Sequence, residues 1–307
     1  IKHSGDASIV LVGLPSVGKS TLLNAVTNAE SKVGNYDFTT LGVVPGMMVY
    51  KGIRIQILDL PGIIEGAAGG KGFGKKVLSV IRASNLVVLM TDIQRKDWLA
   101  KIKLELEKAG IRLNKKAPQV HIHRTTKGSI QLIDPFNSLD KEMMIEVARE
   151  MGLNNAIIQL SEKIETIDQF IDVLSKNRTY LPLVEVVTKV DMEKKSKIEN
   201  LKSKEKEIIF MSANKNIGID EFKEKVWQGL GLIRVYLKRE RNGDADKNEP
   251  LIMRKEQNLE AVLKKISGEM RDDVGRAYIW GKNARFPGQE VSFSFPVFDE
   301  MEVWFGR

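Results

Sequence analysis

The chain has 307 residues, 42% of them hydrophobic and 29% charged, with 48 Lys and Arg against 40 Asp and Glu for a formal net charge of +8. That length holds two or three domains, each with its own core. The absence of cysteine excludes disulfides and thiolate metal sites, and no apolar run approaches the ~18 residues of a membrane span. The basic excess favours polyanionic partners such as nucleic acid, although a solvated basic surface is the commoner meaning of a modest excess. No signal-peptide pattern opens the chain (IKHSGDAS), so a cytoplasmic location is expected.

In chain order, SIVLV (8–12) reads as a buried strand. GLPSVGKS (13–20) follows, then an amphipathic helix with Leu22, Leu23 and Val26 on one face. Residues 43–58 predict two strands around a Lys51-Gly52 turn, and Ile53, Ile55 and Ile57 alternate with Arg54 and Gln56, as in a strand with one wetter face. NLVVLM (85–90), LVEVV (183–187) and EIIFM (207–211) are further core strands, and IDEFKEKVWQGL (219–230) is a helix. Strands alternating with helices predict a parallel α/β sheet with its ligand at the carboxyl edge.

About ninety residues separate Met90 from Leu183, too many for one crossover. They contain strand patterns at QVHIH (119–123), GSIQLI (128–133) and AIIQL (156–160), and helix patterns at 138–152 and 166–177. The expectation is a small α+β domain, residues 111–177, inserted into a nucleotide domain formed by 1–110 and 178–231. After Leu230 come two strands, a helix and further strands, which predict a compact ubiquitin-like β-grasp unit over 232–307.

GLPSVGKS fits the phosphate-loop pattern, and it stands where that pattern must stand, between a strand and a helix. Gly13 and Gly18 let backbone N–H groups curl around phosphate oxygens, with Leu14, Pro15, Ser16 and Val17 between them. Lys19 would neutralise the second and third phosphates, and the Ser20 hydroxyl, next to Thr21, would ligate Mg²⁺. DLPG places Asp59 at the Mg²⁺ shell, with Leu60 and Pro61 leading to the Gly62 N–H on the third phosphate. In TKVD (188–191), after Thr188, Lys189 would lie along a purine, and Asp191 would accept from both N–H donors of a guanine edge. Adenine lacks that pair, so the carboxylate selects GTP over ATP. MSANK (211–215) brings Ser212, Ala213 and Asn214 to the same base, the Ala213 N–H facing the guanine oxygen.

With these motifs, YDFTTLGVVPG, DLPGIIEGAAGGKGFG and GIRLN, the chain resembles the developmentally regulated GTP-binding proteins of the Obg group along essentially its whole length. The resemblance implies that Thr40 is the switch threonine that reaches Mg²⁺ when GTP is bound. It implies a small ribosomal-protein-like domain as the insertion, a TGS domain as the tail, and a helical segment ahead of the nucleotide domain. The chain departs from the usual pattern at Thr188, where Asn is the rule, and at Ser16, where potassium-activated relatives carry Asn. A hydroxyl replaces only part of what an amide bonds, so a looser guanine loop is expected, and K⁺ activation is in doubt.

Ile63 occupies the place where many GTPases carry a water-orienting glutamine. Lys19, Mg²⁺ and the Gly62 N–H can neutralise charge, and the Thr40 carbonyl could hold the water, yet no polar side chain orients it. No arginine finger can be read from spacing, and a finger is worth roughly 10³–10⁵ in rate. A slow GTPase timed by a partner is therefore expected. Residues 66–76 suit a mobile second switch. Residues 101–131 hold eight Lys or Arg against two Glu, with His121 and His123 on one strand face, and read as a surface for RNA or the ribosome. The alternative is a nucleotide-gated RNA-binding module whose hydrolysis is incidental; an ATP-selective relative is disfavoured by Asp191.

Overall fold

The computed structural model describes residues 5–27, 44–60, 74–175, 177–267 and 274–306. Thr40, Pro61, Gly62, Ile63 and most of the glycine-rich run 66–76 lie outside the described residues.

The largest sheet has six strands. They are β1 (Ala7–Gly13), β2 (Val44–Tyr50), β3 (Ile53–Asp59), β4 (Leu86–Asp92), β10 (Leu183–Thr188) and β11 (Ile208–Phe210). Their spatial order is β11-β10-β4-β1-β3-β2, every pair parallel except β2 with β3. β1 and β4 are buried along their whole length, as strands covered on both faces must be. Lys51 (φ 49°) and Gly52 (φ 80°) both take left-handed backbone between β2 and β3, the conformation that a two-residue hairpin turn demands. Ile53, Ile55 and Ile57 are fully buried and Arg54 is exposed, but Gln56 is buried too, at 1% exposure. The expected wetter face thus reaches only Arg54, because the sheet is covered on both sides at Gln56. Its amide has no hydrogen-bond partner among the described residues.

Short strands β5 (Ile111–Leu113) and β9 (Thr179–Leu181) pair in parallel at the root of the long interval. Ile111, Leu113 and Leu181 pack into the larger core. Residues 111–113, expected within the insertion, thus pack against the core of the large sheet. Beyond them β6 (Val120–Arg124), β7 (Ile130–Ile133) and β8 (Ala156–Leu160) form a separate sheet in the order β6-β8-β7. Helices Lys141–Glu150 and Ile167–Leu174 help build its own core around Met144, Ile158 and Phe170. Asp140 caps the first helix, and Thr166 with Gln169 forms a capping box on the second. Asp172, on the second helix and 7% exposed, bonds both Arg112 and Arg178 (Arg178 Nε at 2.7 Å), which fastens the small unit at both crossing points.

The C-terminal sheet contains β12 (Leu232–Leu237), β13 (Leu251–Arg254), β14 (Arg276–Trp280), β15 (Gln289–Val291) and β16 (Met301–Gly306) in the order β13-β12-β16-β14-β15. β12 pairs with β16 in parallel and the other neighbours are antiparallel. The helix Leu259–Ser267 contributes Leu259 and Val262 to its core. Leu232 and Ile252 pack into the larger core instead, and Arg234 lies over the Trp227 ring at 5.6 Å.

Candidate functional site

Parallel strands put all their carboxyl ends on one edge, so the residues that follow β1, β3, β4 and β10 converge there. The register sets Gly13 beside Met90, Leu11 beside Asp59 and Asp92 beside Thr188. A Cβ on Gly13 would stand 2.3 Å from the Met90 carbonyl oxygen, so glycine is required here by the neighbouring strand. The loop then turns through Ser16 (φ 60°) and Gly18 (φ 87°), both left-handed. Such a turn aims successive N–H groups into a concavity suited to an anion. The helix Lys19–Val26 starts with no side chain capping it and no acid in its first turn, which leaves its amides and dipole for a ligand. Leu22, Leu23 and Val26 are buried as their spacing requires.

Lys19 is 6% exposed and donates to the carbonyls of Gly13 (3.1 Å) and Leu14 (3.0 Å). Burial pushes its ammonium below the usual lysine range, and the charge of Asp59 recovers part of that. Ser20 Oγ donates to Asp59 Oδ2 at 2.6 Å, and Asp59 Oδ1 is buried without a hydrogen-bond partner among the described residues.

The Thr188 hydroxyl is 2.6 Å from the Val17 carbonyl and 3.1 Å from that of Thr91. One hydroxyl proton serves one acceptor at a time. Even so, this short side chain ties the loop after β10 to the loop after β1. Lys189 follows with left-handed backbone (φ 58°), and Val190 N–H donates to the Met211 carbonyl at 3.3 Å. Gly18, Thr21, Thr188, Lys189, Asp191, Ser212, Ala213 and Asn214 all face one cavity of about 270 Å³. Asp191 is exposed at its mouth. The edge thus gathers Gly13 through Thr21 with Asp59, Thr188, Lys189, Asp191 and 212–214.

Two residues that no motif marks join this edge. Asp92, 5% exposed, ends β4 and accepts from Arg95 through the backbone N–H (3.0 Å), Nε (3.0 Å) and Nη2 (2.6 Å). Arg95 Nη2 also reaches the Pro15 carbonyl at 3.3 Å, and Lys189 Nζ stands 3.8 Å from Asp92. Burial alone would push the Asp92 carboxyl up. Hydrogen bonds and charge from Arg95, with Lys189 behind, outweigh it and hold the group below the ordinary carboxylate range. The available signal was TDIQR, a carboxylate ending a parallel strand with an arginine three places on.

The basic stretch is more paired than its composition implies. Lys103 bonds Glu185, Lys108 bonds Glu105, Arg112 bonds Asp172 and Lys115 bonds Glu107. Lys116, Arg124 and Lys127 are exposed and make no ion pair among the described residues. His121 and His123 are exposed on the edge strand β6, as their alternation predicts. Among the described residues no helix is long and apolar enough to cross a membrane.

Residues 8–125 match a family described as 50S ribosome-binding GTPase, and residues 127–232 match the C-terminal region of that domain. A GTP-binding protein of Methanocaldococcus jannaschii is 42% identical over 305 residues, covering 97% of this chain and 78% of the relative. The developmentally-regulated GTP-binding protein 1 homolog of Dictyostelium discoideum is 36% identical over 307 residues, covering 98% and 82%. The YchF GTPase structure of Schizosaccharomyces pombe, at 14% identity, covers 99% of this chain and 98% of its own with a TM-score of 0.51, a likeness of fold alone. With relatives of this identity along nearly its whole length, the chain belongs to the developmentally regulated GTP-binding proteins and is a GTPase that binds GTP and GDP.

Proposed function

We propose that this GTPase is a slow molecular switch of the cytoplasm that acts on or near the ribosome. The observation that carries the nucleotide part is the shared cavity at the sheet edge, where Gly18, Asp191 and Ala213 face one space. In this reading Leu14 to Thr21 cradle the phosphates, and Lys19 exchanges its two loop carbonyls for phosphate oxygens. Asp191 accepts the two guanine N–H donors, Lys189 lies along the base, and Ser212, Ala213 and Asn214 close its far side. Thr40 and Gly62, through the first and second switches, complete the catalytic set, with Leu60 and Pro61 leading into it.

The donor set fits a magnesium ion. Ser20 Oγ is a hard oxygen beside Asp59, whose second oxygen is buried and unpartnered among the described residues. Ser20, Asp59 and Thr40 would hold the ion, which when bound neutralises charge growing on the phosphates. Slow turnover rests on Ile63, which cannot orient water.

Ribosome or structured-RNA binding is supported by the description of the matching family and by the exposed Lys116, Arg124 and Lys127. The division proposed is a nucleotide domain, an inserted α+β domain beginning after Leu113, and a TGS domain over 232–307. Central parallel pairing of β12 and β16, with one helix contributing to the core, supports the β-grasp reading of the last. Titration calorimetry with GTP, GDP and ATP tests the assignment: guanine nucleotides bind, and ATP is weaker by roughly a hundredfold or more. Equal affinity for ATP would overturn it.

A further inference from the structure

The Asp92–Arg95 pair does more than end a strand. Asp92 Oδ1 caps the short helical turn Ile93–Arg95 by accepting the Arg95 N–H, and the cap needs only that oxygen. Oδ2 takes both Nε and Nη2 of Arg95 and faces Lys189 Nζ. The Arg95 carbonyl is held as well, by Thr91 Oγ1 at 2.9 Å, so its side chain leaves from a backbone fixed at both ends. The guanidinium then crosses 80 positions of sequence to the carbonyl of Pro15. Pro15 immediately precedes Ser16, the first of the two left-handed residues that shape the loop.

We propose that Arg95 is a positioning residue for GTP hydrolysis: anchored on Asp92, it fixes the Pro15 peptide so that the loop amides face the third phosphate, while Asp92 steadies Lys189 beside the base. The proposal rests on residues 13–20 being the phosphate loop and 188–191 the guanine loop. One buried carboxylate thereby joins the loop that reads the base to the loop that holds the phosphates. Rigidity of this kind matters most where charge develops, because a donor displaced by a fraction of an ångström binds a ground-state phosphate nearly as well but stabilises the transition state less. Arg95 is 38% exposed at its side chain and adds little apolar burial. Its loss nonetheless leaves the buried Asp92 carboxylate without its main counter-charge, so Arg95→Ala is expected to lower stability. Arg95→Lys, which keeps a cation beside Asp92, is expected to lower it less.

The test is single-turnover hydrolysis and GDP affinity for the full chain and for Arg95→Ala, Arg95→Lys and Lys19→Ala, with melting temperatures. Arg95→Ala is expected to hydrolyse about tenfold more slowly, with GDP affinity within about threefold, when both are measured well below its lowered melting temperature with circular dichroism showing the folded protein. Arg95→Lys, which keeps the positive charge on a single nitrogen but lacks the fork that reaches Asp92 and Pro15 together, should recover part of the rate. An unchanged rate in Arg95→Ala, or a rate loss matched by an equal loss of GDP affinity in the folded protein, would overturn the proposal while Lys19→Ala still abolished hydrolysis. Full hydrolysis by Lys19→Ala would overturn the phosphate-loop reading and this proposal together.

Discussion

The nucleotide edge and the inserted sheet treat charge in opposite ways. At the edge, the charged groups beside the phosphate loop already have protein partners: Lys19 donates to two carbonyls, Asp59 accepts from Ser20, and Asp92 holds Arg95 with Lys189 beside it. On the inserted unit Lys116, Arg124 and Lys127 stand exposed without an ion pair among the described residues. A site for one small ligand benefits from groups held in place beforehand, since little freedom is lost on binding. A surface for a polyanion needs no such order, because releasing counterions supplies much of the affinity. The two regions should therefore fail differently.

The largest effect is expected where the prepared charge meets the phosphates. Lys19→Ala should lower single-turnover GTP hydrolysis by roughly a thousandfold or more, and Ser20→Ala by most of its rate, with circular dichroism unchanged. Retained hydrolysis in either variant would remove the distinction between the regions. Next comes Asp191→Asn, which should weaken GTP by about a hundredfold and favour xanthine nucleotide, whose edge presents the complementary pattern. Competition titration with both nucleotides measures it.

Much of the fold was legible because periodicity reports burial. Helix Ile219–Leu230 and strand Ala156–Leu160 fall on the residues their patterns assign. Strands β5 and β9, three residues each, are too short to show a period. Alternation at Ile53–Ile57 could not reveal that Gln56 is covered as well. At the candidate site, the runs that the motifs single out are consecutive residues, and the parallel sheet brings several of them to one edge and one cavity. Contacts made across long separations were not. Nothing local announces that Arg95 meets Pro15, that Thr188 meets Val17, or that Lys115 is taken up by Glu107.

An effect of comparable size separates the regions by stability. Burial pushes Asp172 up, but hydrogen bonds and charge from Arg112 and Arg178 outweigh it and hold the carboxyl below its ordinary value. A depressed carboxyl stabilises the fold above its unfolded pKa, about 3.9, and loses that contribution as pH falls through the lower folded value. Asp172→Asn should cost about 3 kcal/mol at pH 7. Its stability should also fall less steeply than the unmodified protein's below about pH 4. Denaturant titrations across pH check this, and parallel acid limbs would exclude the pair as a fastener. The smallest expected change follows from replacing Lys116, Arg124 and Lys127 with Ala. RNA affinity should fall by about tenfold at moderate salt, and the slope of log affinity against log salt by about two to three. Lys115 is left in place because it already serves Glu107.

The proposed ribosome-timed switch is tested most directly by single-turnover GTP hydrolysis with and without ribosomes, on the unmodified chain and on that triple variant. It predicts slow intrinsic hydrolysis, equal in both proteins, and acceleration by ribosomes that the unmodified chain shows and the variant largely loses. Ribosomes that bind the GTP form yet leave its hydrolysis unchanged would contradict the switch and leave a nucleotide-gated RNA-binding module in its place.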